Sequence, residues 1–350
     1  MKKLITIKTF LLCITLVMPL TSFSNTSINT NVCQNFHPGM EFRIFDSVDR
    51  NIDGYYHLKM NLLQDVHNFN GVLVQIDWGT IESTPGIYDW SRLDKILLTA
   101  QKAGKYLRVR LEDRTFWTGC ASKKFLPSDI AREAGALSPN NCYAKIWEKD
   151  TMDRYIAVVT AMLTRYSSNP YFTGVVTEET ALDSASIYNN KSLYQTALYP
   201  QLIRLAAAAH AAAPYVPFTQ YINWPYKSNS AYFSPIVSNL LSTNGGIGWP
   251  DSRIDQEFNY SWYQLARNNN SSLLIAPSAE SGSTSSATTI ADALVDHEAA
   301  YEMLVKDINA HIIVWDTDNV AFGSNYFSQV VIPTVNNHNG AVLNNTCPFK

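Results

Sequence analysis

Apolar positions along this chain of 350 residues gather into eight short runs, and stretches of helical periodicity separate most of them. The runs are Glu41–Asp46, Val72–Trp78, Tyr106–Asp113, Thr173–Glu179, Val216–Trp224, Gly245–Trp249, Leu273–Glu280 and His311–Asp316. Their length and near-continuous apolar character predict strands buried on both faces, as in a parallel sheet. The sixth is short and glycine-rich, which makes it the least strand-like. Between runs, Ser91–Ala103 sets Leu93, Ile96, Leu97 and Ala100 on one helical face, and Thr151–Tyr166 does so with Ile156, Val159, Met162 and Leu163. Tyr194–Ala213 and Thr288–Ala310 complete the predicted helices, the latter carrying Ile290, Leu294, Tyr301 and Leu304. Eight strands with intervening helices predict a single-domain α/β fold, a (β/α)8 TIM barrel, whose ligand face is the set of loops after the strands.

Composition narrows the function classes. The chain is 46% hydrophobic and 16% charged, which predicts a packed core and excludes disorder. Net charge is −3 and no basic run follows the first residues, which argues against a nucleic-acid or anionic-membrane partner. Lys2 and Lys3, the apolar stretch Leu4–Leu20 and the small-x-small site Ser22-Phe23-Ser24 predict a secretory signal peptide over residues 1–24, with the barrel in 25–350. Cys13 lies in that leader and lacks the setting of a lipidation site; no later stretch is apolar enough to span a bilayer, so no membrane anchor remains after cleavage. The expected location is secreted, periplasmic or extracellular. Cys33, Cys120, Cys142 and Cys347 then remain, an even number that in an exported chain points to disulfides. Of the three possible pairings we favour Cys33–Cys347, near the two mature ends that meet in a closed barrel, with Cys120–Cys142, which flank one loop. A zinc site is the rival use of these residues, but no metal-ligand spacing occurs, so no metal is expected.

The loop after the second strand carries the most specific signature: Trp78-x-x-x-Glu82-x-x-x-Gly86-x-Tyr88-Asp89-Trp90. This spacing resembles the second βα loop of retaining glycoside hydrolases of clan A, especially those similar to β-galactosidases and β-mannanases. The resemblance implies a (β/α)8 barrel, a carbohydrate substrate, no cofactor, and two catalytic carboxyl groups at the ends of the fourth and seventh strands. A retaining enzyme holds such groups roughly 5–5.5 Å apart.

The fourth strand ends Thr177-Glu178-Glu179-Thr180 where the clan usually has Asn-Glu-Pro. Matching strand ends makes Glu179 the acid/base and puts Glu178 in the asparagine place; a slip of one residue makes Glu178 the acid/base instead. Strand alternation predicts that only one of the two points along the barrel mouth. The seventh strand ends in the lone Glu280, which the resemblance makes the nucleophile. Trp315, which the resemblance suggests as a sugar floor, and Trp78, Trp224 and Trp249 end candidate strands; four tryptophans at strand ends are expected to bind substrate, with packing in the core the alternative for each. Alternation on the third strand places Arg108, Arg110 and Glu112 on one side, where inward charges must be paired; an Arg–Glu network below the catalytic pair is expected to orient it, with Arg110 and Glu112 at the substrate, and a structural salt bridge in the barrel is the alternative. Glu82 is expected to be structural or substrate-facing, and Asp89 and Ser91 to cap a helix.

The sequence thus predicts an exported retaining glycoside hydrolase acting on a poly- or oligosaccharide. The alternative is a carbohydrate-binding barrel without activity, which the missing Asn-Glu-Pro favours. A barrel hydrolase of esters or amides is a third reading, without a visible nucleophile–base pair.

Overall fold

Eight parallel strands, with helices between them, close on themselves in the computed structural model of the chain. It describes residues 32–349 apart from 123, 189, 226–228, 255–259, 285–286, 319–320, 324 and 341–343. The expected leader, residues 1–24, lies outside the described residues. The strands are β1 (Gly39–Asp46), β2 (Phe69–Asp77), β3 (Tyr106–Glu112), β4 (Phe172–Val176), β5 (Phe218–Tyr221), β6 (Gly246–Gly248), β7 (Leu274–Ile275 and Ser278–Ala279) and β8 (Ile312–Asp316). The helices of six residues or more are α1 (Gly54–Leu62), α2 (Ser91–Lys102), α3 (Lys149–Tyr166), α4 (Tyr199–Ala212), α5 (Ser234–Ser242), α6 (Ser261–Asn269), α7 (Ile290–Glu302) and α8 (Ile332–Asn337). This is the (β/α)8 barrel.

β7 closes the ring in two pieces because Pro277 has no N–H to give to a ladder. Its first piece pairs with β6 and its second with β8. Across the break, Ala276 N donates to Ile247 O at 2.9 Å, and Pro277 O accepts from Val314 N at 2.9 Å. The barrel is therefore continuous although the strand is not.

Alternation divides the strand side chains between two layers. Phe42, Ile44, Val72, Val74, Ile76, Val109 and Leu111 point outward and pack with the buried faces of the helices. The α2 face is the expected one, Leu93, Ile96, Leu97 and Ala100. The start of α7 is fixed by a capping box between Thr289 and Asp292. Leu73, Val176, Tyr221, Leu274, Ala276, Ile312 and Val314 fill the interior, joined by Phe36 and Phe349. Below the mouth, Glu41 of β1 and Arg108 of β3 form a fully buried ion pair, Nη2 to Oε2 at 2.8 Å. Gly248 makes room for an interior aromatic ring: a Cβ there would lie 2.3 Å from Tyr221 Cε1.

Both expected disulfides are formed. Cys33–Cys347 spans a Cα separation of 5.7 Å and Cys120–Cys142 one of 5.0 Å. The second clamps a long excursion between β3 and α3, in which Arg114–Thr115, Arg132–Ala134 and Cys142–Ala144 form a small antiparallel sheet.

Several boundaries differ from those expected. The fourth strand stops at Val176, not Glu179, and the fifth covers only Phe218–Tyr221. The helix expected over Thr288–Ala310 changes to a π turn at Met303–Asp307. The shortened fourth strand matters most, since Glu178 and Glu179 lie beyond the ladder and alternation does not govern them.

Candidate active site

A cleft of about 300 Å³ opens at the carboxyl ends of the strands. β1 contributes Arg43 and Phe45, β2 Gln75, and β3 Arg110 and Glu112. Glu178 and Glu179 follow β4, Tyr221 ends β5, Asp251 follows β6 and Glu280 follows β7. Glu178, Glu179 and Glu280 thus line one cavity, and so do Arg110 and Glu112. Both adjacent glutamates face it, contrary to the expectation of one, because irregular backbone after Val176 frees them from the strand's two-residue period.

Glu280 sits between two guanidinium groups. Arg43 Nη1 lies 2.7 Å from Oε2, and Arg110 Nη1 and Nη2 lie 3.4 Å from Oε1. Burial alone would raise its pKa; Arg43 and Arg110 more than cancel that and hold the carboxyl below the usual glutamate range. Asp316 fixes Arg43 from the other side, at 2.5 Å, and the Tyr221 ring lies under Arg110 at 4.3 Å. Tyr221 is itself held by its hydroxyl, 2.6 Å from Ser278 Oγ.

Glu179 is in the opposite condition. Burial pushes its carboxyl up to about 8; Arg114 opposes this, while the charges of Glu178, Asp251 and Glu280 add to it. Asn223, just after β5, donates through Nδ2 to Glu179 Oε2. Glu178 is raised by burial to about 7, against the pull of Arg110 and Arg114. Asp251 is also raised, by burial first and then by the charge of Glu280.

Gln75 joins these groups. Its Oε1 accepts from Arg43 at 3.3 Å, and its Nε2 donates to Glu178 Oε1 at 3.0 Å and to Glu112. One amide therefore fixes an arginine of the Glu280 environment and two carboxyl groups across the mouth. Glu112 also meets Arg50 at 3.3 Å. Arg110 pairs with Glu280, not with Glu112, so the inward charges of β3 are matched to other strands. Sequence reasoning missed Arg43, Gln75, Asn223 and Asp251. Arg43 and Gln75 left a signal: each is a polar residue at an inward position of an otherwise apolar strand.

The tryptophans expected at the mouth are elsewhere. Trp78, Trp249 and Trp315 are each 0% exposed, outside the cleft lining. On β8, Val314 points into the barrel, so Trp315 must point out; it packs on His297, with Nε1 3.3 Å from Met40 Sδ. Trp78 donates to Glu82 Oε2 at 2.8 Å against Tyr155, and Trp249 donates to Ser252 Oγ at 3.0 Å against Tyr263. Trp224 is half-buried, precedes Pro225 through a cis bond and does not line the cleft either. Trp78, Trp249 and Trp315 are core and Trp224 packs against it, because ending a strand does not decide which layer a side chain joins. Glu82 is structural: fully buried, it accepts from Trp78, from Gly86 N at 2.6 Å and from Arg154 at 2.6 Å. Asp89 accepts from Ser91 N at 2.9 Å just before α2, but the N-cap of that helix is Trp90, without a side-chain capping bond, so neither Asp89 nor Ser91 is the cap residue expected.

Comparison with known proteins rests on shape. No protein-family model and no characterised protein sequence matches the chain. Among solved structures it is similar to endo-glycoceramidase II from Rhodococcus sp., with a TM-score of 0.59 at 12% identity, covering 85% of this chain and 78% of that one. It is also similar to the catalytic domain of β-amylase from Paenibacillus polymyxa, with a TM-score of 0.56 at 12% identity, covering 85% and 98%. A psychrophilic glycoside hydrolase family 10 endo-β-1,4-xylanase gives 0.53 at 14% identity, covering 85% and 96%. The barrel is what they share. At such identities the likeness establishes the fold and does not single out β-galactosidases or β-mannanases.

Among the described residues, no group of three or more His, Cys, Asp or Glu could hold a metal ion, and no helix is long and apolar enough to cross a membrane.

Proposed function

We propose that the chain is a glycoside hydrolase that cleaves an O-glycosidic bond with retention, through a covalent glycosyl-enzyme. The observation that carries this reading is the opposite tuning of two carboxyl groups in one cleft: Glu280 below the ordinary range and Glu179 above it. Two carboxyls driven apart by their surroundings supply a base or nucleophile and an acid at the same pH. Glu280, ionised and fixed on Arg43 and Arg110, would attack the anomeric carbon. Glu179 would give its proton to the leaving oxygen, then take one from the water that releases the sugar. Each proton is accounted for by Glu179, and the bond to Glu280 forms and breaks once per turnover.

Glu179 is favoured over Glu178 as acid/base. It is the more exposed of the two, and it carries the stronger upward shift. Glu178 is held by Gln75 and is suited to touching substrate. The known glycosidases that share the barrel support a carbohydrate substrate. The two disulfides are compatible with an exported protein, cleaved after residue 24 to leave the barrel.

The test is a panel of polysaccharides and aryl glycosides, followed by a 2-fluoro glycoside of whichever sugar is cleaved. Mass spectrometry of the labelled peptide should find the sugar on Glu280. Binding without turnover on every member of the panel would favour the inactive carbohydrate-binding barrel. Inversion in the first-formed sugar, read by NMR, would overturn the retaining assignment.

A further inference from the structure

One rim of the cleft is aromatic and exposed. Trp117 is 55% exposed and its neighbour Phe116 38%, and both line the cleft. Single exposed apolar residues are ordinary, but two adjacent large rings on the edge of a polar cleft mark a contact surface. The rings do not belong to a loose loop. Trp117 N donates to Thr115 Oγ1 at 3.2 Å, and Gly119 N to Asn140 O at 2.9 Å. Thr118 and Ser122 both donate to Asp49 of the loop after β1. The Cys120–Cys142 bridge closes the same stretch. Arg50 lies between the rings of Phe45 and Trp117, 4.4 and 5.9 Å from their centroids, while paired to Glu112.

We propose that Trp117 and Phe116 form a sugar-binding platform that seats a second unit of the substrate, beside the unit held at Glu280, so that the enzyme works on chains of at least two sugars. This rests on the glycosidase reading above. A sugar ring has an apolar face of C–H groups and a rim of hydroxyls. Trp117 offers a flat face to the first, and Arg50 and Glu112 beside it offer a donor and an acceptor to the second. A ring fixed before binding loses little conformational freedom on contact, so exposing it is productive. The occupant is a sugar and not an apolar peptide because the platform continues into a cleft lined by charged groups.

The experiment compares the wild type with Trp117→Ala and Trp117→Phe. Substrates are the longest gluco-, galacto-, manno- or xylo-oligosaccharide that the wild type cleaves and the aryl glycoside of the same single sugar. Trp117→Ala should lower kcat/KM on the oligosaccharide roughly tenfold more than on the aryl glycoside, mainly through KM, and Trp117→Phe should restore part of the loss. Calorimetric titration of the same oligosaccharides into Glu280→Gln and Glu280→Gln/Trp117→Ala should show the same ratio in Kd. Equal losses on long and short substrates, or an unchanged Kd, would overturn the platform. If the wild type cleaves nothing, the hydrolase reading falls, and titration into the wild type decides the platform alone. Weakening by Trp117→Ala upholds it, and no binding of any panel member overturns it.

Discussion

Arg43 reaches past β8 to place a guanidinium nitrogen 2.7 Å from the Glu280 carboxylate, while its other nitrogen holds Asp316. Burial favours a neutral Glu280, so its charge depends on this contact and on Arg110. Replacing Arg43 with Met removes one of two compensating charges and leaves the burial. The pKa of Glu280 should rise. With Glu280 as the proposed ionised nucleophile, the acid limb of kcat/KM should move to higher pH, with lower activity below it. An acid limb that stays in place would mean Arg43 does not set that charge.

On the proposed mechanism the basic limb belongs to Glu179, which has to be protonated to act and whose carboxyl burial pushes up to about 8. Activity should therefore persist through neutral pH and fall as pH rises through about 8. A pH profile of kcat/KM on a substrate with a poor leaving group checks this. A fall near the ordinary glutamate value, pH 4–5, would contradict the assignment.

Substitution should separate the two carboxyls. Glu280→Ala should abolish turnover of every glycoside, because the proposed nucleophile is gone. Glu179→Ala should lose about 10²–10⁴-fold on substrates with poor leaving groups. On an aryl glycoside whose leaving group needs no proton, its first step should survive, and added azide should replace water in the second and give a glycosyl azide. Equal losses that azide does not rescue would mean that both side chains only hold the mouth together.

Much of the barrel was legible because its strands are buried on both faces and stand out as apolar runs. α1, α5, α6 and α8 were not. The buried side of α1 is only Gly54, Leu58 and Asn61, too weak a stripe to register, while α5 and α8 are short, nine and six residues. At the site, Glu280 and the pair Glu178 and Glu179 could be placed near the mouth from the family resemblance and the apolar runs they follow, although the fourth strand ends earlier than expected, at Val176. Gln75 and Asn223 could not, since their roles depend on which strands become neighbours. The tryptophans misled because sequence position gave their height on the barrel and not their side.

The buried Glu41–Arg108 pair offers a test of stability apart from activity. Both side chains lie below the cleft and are almost wholly buried. Arg108→Met leaves a carboxylate without its counter-charge and should cost about 3–5 kcal/mol in urea unfolding. Adding Glu41→Leu should recover most of that loss, because the second charge goes as well. A double variant as unstable as the single one would show that packing, not charge, dominates there.

The bridge between Cys33 and Cys347, 314 positions apart in sequence, makes the chain a ring. Denaturant can melt every strand of the barrel without opening that ring. The oxidised unfolded protein is then a closed loop with a smaller pinched loop inside it, from Cys120–Cys142. Such a polymer is more compact than its reduced, linear form and has fewer conformations to gain on unfolding. Its transition should expose less surface and show a shallower dependence on denaturant. Oxidised and reduced protein thus share one native architecture but unfold to molecules of different topology.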